Sequence, residues 1–249
     1  MKRKFICLLV AACLVACSKK NGNDAKPGGD DDDNPTPTVS PVGDVVGKVT
    51  TGYQGWFSAD NDGSPLNRWG HMNLEIWPDV TEYSTTYQTE FGNLQNGKPA
   101  TMFSSYDQST VNLHFKWMSQ YGIDCAALQR FSGELSINEL KQQRDGMAVR
   151  VRNAAEANGV KFYVMYDISG HRDMKATLMA DWENTIKGSL NLLSSPAYAK
   201  QNGKPVVCIW GMGYTQQPVP GGGDPQECLD VINFFKQQGC YVIGGVPMA

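Results

Sequence analysis

Four short apolar runs in this sequence of 249 residues end in side chains that can grip a polyol. The first closes on Gly52-Tyr53-Gln54-Gly55-Trp56-Phe57 and the second on Gln129-Arg130-Phe131. The third closes on Tyr166-Asp167-Ile168-Ser169-Gly170-His171 and the fourth on Trp210-Gly211-Met212-Gly213-Tyr214. Aromatic faces stack on the C–H surface of a pyranose ring, while amides, guanidinium groups and carboxylates bind pairs of hydroxyls. Any one of these aromatic residues could simply roof a core, but recurrence at four run ends favours a site that takes a carbohydrate. Trp56 and Tyr53 are the expected stacking platforms, with Gln54, Tyr166 and Trp210 beside them. Gln129 and Arg130 are placed to hold hydroxyls or orient a carboxylate, and for Arg130 this reading is preferred to that of a buried ion-pair partner. Asp167 is the best-placed carboxylate, either touching a hydroxyl or leaving group or closing a turn. His71 joins the set from a loop that also carries Trp69 and Trp77.

Other chemistries are less well served. His71, His114 and His171 lack the spacing of a zinc site, and so do Cys125, Cys208, Cys228 and Cys240. Pro220-Gly221-Gly222-Gly223-Asp224 precedes a helical pattern and could attract an anion, but a flexible loop is the simpler reading. Twenty-two basic against twenty-five acidic residues leave a net charge of −3, so no nucleic-acid partner is expected. No cofactor is expected either, because the glycines that cradle phosphate in a dinucleotide-binding turn are missing.

The elements that must position these residues alternate between short apolar runs and segments of helical period. The runs cover residues 45–57, 123–131, 160–168, 205–210 and 240–246, and each is dense in Val, Ile, Tyr, Phe or Cys, as parallel strands covered on both faces are. Helices are expected near 108–121, from a capping box at Ser136 and Glu139 to Gly159, over 174–193 on the stripe Leu178, Trp182, Ile186, Leu190 and Leu193, and from Asp224-Pro225 to Gly239. From the second run onward the strands start roughly 35 to 45 residues apart, one strand-helix unit each. That beat belongs to the (β/α)8 TIM-barrel type of α/β fold, and five units make it an incomplete barrel whose carboxyl-terminal strands are missing. An open doubly wound sheet is the alternative, but it would want a tight glycine turn after the first strand. Instead residues 58–101 form an extended polar and aromatic loop, and long loops in compact domains tend to be functional.

The amino terminus carries an address. Lys2, Arg3 and Lys4 precede an apolar run over 5–16, too short to span a bilayer, and Leu14-Val15-Ala16-Cys17 has the form of a lipobox. Residues 1–17 are therefore expected to be a lipoprotein signal peptide ending in the acylated Cys17, which would hold the protein on a bacterial membrane, at the outer membrane or cell surface. Residues 18–44, with four aspartates from Asp30 to Asp33 and Pro35-Thr36-Pro37, are expected to be a disordered tether, leaving 45–249 as the folded domain. An exported compartment permits a disulfide among the four remaining cysteines without requiring one.

Thr51-Gly52-Tyr53-Gln54-Gly55-Trp56-Phe57, Arg68-Trp69-Gly70-His71 and Ala127-Leu128-Gln129-Arg130-Phe131 resemble the start of the bacterial glycoside hydrolases of the family 71 and family 99-like group. Tyr163-Val164-Met165-Tyr166-Asp167 and residues 206–211 fit the same pattern, so the resemblance extends over 47–249. It implies a barrel that cleaves an α-linked polysaccharide, α-mannan or α-glucan, with carboxylates that protonate the leaving oxygen and assist its displacement. In family 99 that pair is two glutamates near an Asn-Glu-Trp segment on a late strand. This sequence has no such segment, so the resemblance puts the catalytic pair beyond Ala249. A surface lipoprotein that binds glycan without cleaving it uses the same residues and stays open as a second expectation.

Overall fold

The computed structural model describes residues 42–70, 74–171, 174–213 and 224–245. The expected signal peptide with Cys17, nearly all of the tether, His71, Tyr214, residues 220–223 and residues 246–249 lie outside the described residues. The strands are β1 (Thr50–Tyr53), β2 (Tyr87–Asn93), β3 (Pro99–Met102), β4 (Cys125–Phe131), β5 (Lys161–Asp167), β6 (Lys200–Gln201), β7 (Lys204–Trp210) and β8 (Tyr241–Gly245). The helices are α1 (Gln108–Gln120), α2 (Asn138–Asn158), α3 (Met174–Asp181), continued by a π-helical stretch over Trp182–Ser189, and α4 (Pro225–Gln237).

All five apolar runs become strands of one mostly parallel sheet. β1 pairs with β4, β4 with β5, β5 with β7 and β7 with β8, each in parallel. Parallel neighbours need long crossovers, and each of these connections contains a helix. Sheet order follows chain order without the reversal that defines a doubly wound fold, which agrees with a partial barrel. Among the described residues no pairing joins β8 to β1, so they do not form a closed barrel.

Strand residues alternate between faces, and the alternation decides which side chains can meet. Ala126 and Leu128 of β4, Phe162 and Val164 of β5, and Val207 and Ile209 of β7 are buried in one core with Phe115 of α1, Val151 of α2, Leu178 of α3 and Phe235 of α4. Fully burying a side chain of this size contributes about 1.5–3 kcal/mol, so the helix-facing side is where most of the fold's stability resides. On the other face the register sets Gln129 beside Met165 and Cys208, and one step on sets Phe131 beside Asp167, Trp210 and Gly245.

Three local expectations need correction. The long loop is not without structure: β2 and β3 form an antiparallel hairpin with a bulge between Gln88 and Asn93. Its exposed polar residues and Gly92 obscured the alternation that would have marked a strand. The capping box does not form, because α2 begins at Asn138, the Ser136 hydroxyl donates to the Gly133 carbonyl, and Glu139 binds Arg68 instead. The segment 174–193 is helical but not uniformly α. Its stripe repeats every fourth residue, which drifts around a helix of 3.6 residues per turn, and the wider i→i+5 winding, with Leu190 N donating to Thr185 O, brings Trp182 and Ile186 back onto the core. By contrast, Gly159 closes α2 with a φ of 68°, and the Asp224 carboxylate accepts from the amides of Gln226 and Glu227 to start α4.

Candidate functional site

A cavity of about 450 Å³ opens at the carboxyl ends of β1, β4, β5 and β7, walled by Gly52, Tyr53, Gln54, Gln129, Met165, Asp167 and Trp210. An adjoining cavity of about 380 Å³ shares Tyr53 and Gln54 and adds Gly55, Trp56, Phe57, Phe103, Ser105 and His114. Together they make a cleft with a polar half and an aromatic half. A groove of about 410 Å³ between Leu135, Lys141 and α3 shares no lining residue with either cavity.

Asp167 organises the polar half. Its side chain is almost buried, its Oδ1 accepts from the Ser169 amide at 2.8 Å, and its Oδ2 accepts from the Gln129 amide nitrogen at 2.5 Å. Asp167 thus closes a turn and walls the cavity at once, so the turn does not take its carboxylate away from the cavity. With its nitrogen committed to Asp167, Gln129 leaves its carbonyl oxygen to accept a ligand hydroxyl. Behind the turn the buried Ser132 hydroxyl donates to the Asp167 carbonyl at 3.0 Å, and His171 Nδ1 lies 2.9 Å from the Ser132 oxygen. Serine has one proton and spends it on Asp167, so Nδ1 of His171 is the donor in that contact.

Three of the expected site residues face the other way. Arg130 is 2% exposed, and its Nε and Nη2 fork onto Asp181 at 2.7 and 2.6 Å while Nη2 also reaches Asp145 at 2.6 Å. Burial opposes the charge, but the hydrogen bonds and charge of Asp181 outweigh it and raise the guanidinium's pKa above its ordinary value. Tyr166 is fully buried and donates to Asp181 Oδ2 at 2.8 Å, with burial first and the Asp181 charge second pushing its hydroxyl well up. Tyr53 lines the cleft, yet its ring turns to α1, edge-on to Phe115, with its hydroxyl 3.0 Å from His114 Nδ1. The cause is the same in all three. Gln129, Asp167 and Gln54 face the cleft, so their chain neighbours Arg130, Tyr166 and Tyr53 must face the helices.

Two tryptophans remain as platforms. Trp210 is 37% exposed and lies across Gly245 of β8, where an added Cβ would stand 2.6 Å from its Cδ1. Trp56 is half-buried in the aromatic half and packs on Phe131 with ring centres 5.1 Å apart. His71 lies outside the described residues, but the segment just before it is clamped to the rim by the Gly70 amide donating to the Ser58 carbonyl at 3.2 Å.

His114 escaped the sequence-level set. Its Nδ1 meets the Tyr53 hydroxyl and its Nε2 meets the Tyr83 hydroxyl at 2.8 Å, while Tyr83 stacks flat on Phe103 at 4.5 Å. A neutral imidazole has one donor and one acceptor, so one tyrosine gives its proton to the ring and the other receives one. Burial lowers the histidine's pKa to about 4, which keeps it neutral. The available signal was a lone histidine on the apolar side of α1, near Val111, Phe115 and Met118.

No family model matches the chain, and no curated protein matches it. Among solved structures it is similar to the GH99 endo-alpha-mannosidase from Bacteroides thetaiotaomicron in complex with bis-tris-propane, at 11% identity and a TM-score of 0.44 over 79% of this chain and 52% of that one. A second structure of the GH99 endo-alpha-mannosidase from the same organism gives 13% identity and a TM-score of 0.43 over 66% of this chain and 45% of that one. The chain spans about half the length of the solved structures it matches.

Proposed function

We propose that the cleft binds a saccharide and that the protein is a glycoside hydrolase of the family 71/99-like type, lipid-anchored through Cys17 at a bacterial surface and acting on an α-linked polysaccharide of the mannan or glucan class. The observation that carries this reading is the side-by-side register of Asp167 and Trp210 on the cavity face. It sets a hydrogen-bonding carboxylate and amide next to an exposed indole, the combination that a pyranose ring with an apolar face and a hydroxyl edge requires. The cavity is within the size range of ligand sites, and its polar groups come from rigid strand ends.

Hydrolysis by the usual routes needs two carboxyl groups flanking the scissile bond. Asp167 is the one carboxylate among the described residues that line either cavity, and both its oxygens already accept hydrogen bonds. Its role in this reading is to hold a hydroxyl, and the acid–base pair comes from outside the described residues. The same observation favours the second reading, a glycan-binding surface lipoprotein without turnover. Calorimetry of the 249-residue protein with α-mannan and α-1,3-glucan oligosaccharides tests the saccharide reading that both share, and product analysis tests the placing of the acid–base pair. Binding weakened about tenfold or more by Trp210→Ala is expected, without sugar release. Failure of the wild-type protein to bind either series refutes the saccharide reading, and turnover refutes the placing of the acid–base pair. For the anchor, Cys17→Ser is expected to move the protein from the membrane fraction to the soluble one.

A further inference from the structure

Gly52 occupies β1 with no conformational need for glycine. It is not among the glycines with positive φ, and it pairs in register with Ala127. Glycine inside a strand is unfavourable in entropy and packing, so a residue with a side chain would be the better choice unless something must come close to the backbone. A Cβ added at Gly52 meets no atom within 4 Å. The space it would enter is the polar cavity, which Gly52 walls together with Gln54, Gln129, Asp167 and Trp210. The other glycines near the cleft have different reasons. Gly55 has a φ of +64° and an added Cβ would strike Met147, while Gly245 makes room for the Trp210 indole.

Resting on the saccharide reading, we infer that Gly52 is the seat of the sugar ring: the ring lies against the bare backbone of β1 and is bounded across the cavity by Trp210. β1 and β7 are separated in the sheet by β4 and β5, yet both wall the same cavity, so the distance between them limits the width of the ring that enters. Gln54, two residues on and just past the end of β1, then reaches the ring's hydroxyl edge from the seat side. In this assignment Gly52 determines specificity by size, and any side chain there competes with the ligand for the same volume.

The test uses Gly52→Ala and Gly52→Val in the full chain, with melting temperature and calorimetry on α-mannan and α-1,3-glucan oligosaccharides. Because the added atoms enter open space at an ordinary strand conformation, Gly52→Ala is expected to raise Tm by about 1–3 °C. Both variants are expected to weaken binding, Gly52→Ala by about tenfold and Gly52→Val by more, at undiminished Tm. Affinity within about twofold of wild type for Gly52→Val overturns the seat and leaves the saccharide reading intact. A fall in Tm with either variant assigns Gly52 to folding and also overturns it; a wild-type protein that binds neither series overturns the saccharide reading and the seat with it.

Discussion

The Gln129 side chain reaches Asp167 diagonally, from β4 to β5, although the register pairs Gln129 with Met165 and Asp167 with Phe131. Residues so offset lie about 7–8 Å apart between their backbones, a span that a long amide can bridge and a short one cannot. The contact joins the ends of two strands and fixes which of the amide's two poles faces the cavity.

Gln129→Leu therefore removes a donor from a nearly buried carboxylate. The expected loss is about 1–3 kcal/mol of stability, read from the urea midpoint, together with weaker saccharide binding. Gln129→Asn is expected to lose the contact too, because its side chain is one methylene shorter. If Gln129→Asn keeps full affinity, the amide's reach is not what organises the polar half.

Arg130 leads to the opposite pattern. Arg130→Met leaves Asp181 and the partly buried Asp145 without their shared cation and is expected to cost about 3–5 kcal/mol. Saccharide affinity per folded molecule should not change, since the guanidinium is on the helix side of the sheet. Replacing Arg130 and Asp181 together by apolar residues is expected to recover part of the loss, because no lone charge is then stranded. A variant with normal stability and lost affinity would return Arg130 to the binding site.

These two neighbours also mark how far the sequence could be read. The five strands were legible because parallel strands leave long apolar runs, and α4 was legible because Asp224, Pro225 and Glu227 carry a complete start signal. The tips of the strands were recognised as chemically loaded, yet Gln129 and Arg130 were assigned together, and a period of two forbids that pair from sharing a face. Local sequence could have corrected this. It could not have revealed His114, whose partners Tyr53 and Tyr83 lie 61 and 31 residues away and meet it only once β1, α1 and the segment before β2 have packed. The hairpin of β2 and β3 was hidden for a simpler reason, that an exposed strand need not be apolar on either face.

His114 makes stability depend on pH. Its pKa in the fold is about 4, below the ordinary histidine value near 6.5, so the unfolded chain takes up a proton first as acid is added. The contribution is complete above about pH 6.5 and is lost as the pH falls toward 4, amounting to roughly 3 kcal/mol over that window. His114→Gln keeps a donor and an acceptor but does not titrate. Its melting temperature should consequently fall less steeply than that of the wild type between pH 6.5 and 4, and equal slopes would remove His114 as the source.

Gly245 should control the Trp210 platform from the neighbouring strand. An added Cβ would lie 2.6 Å from Trp210 Cδ1 and 3.0 Å from both Cγ and Cα. The indole can rotate away from the first contact, but the Cα belongs to β7 and yields only if the strand moves. Gly245→Ala is accordingly expected to displace the ring, to cost about 1–3 kcal/mol through overpacking, and to reproduce much of the affinity loss of Trp210→Ala. The double variant distinguishes a shared cause from two separate ones. If Gly245 acts chiefly through the indole, adding Gly245→Ala to Trp210→Ala lowers affinity little further, because the ring is gone and only the contact with the Cα of residue 210 remains. Additive losses would mean that β8 itself touches the ligand.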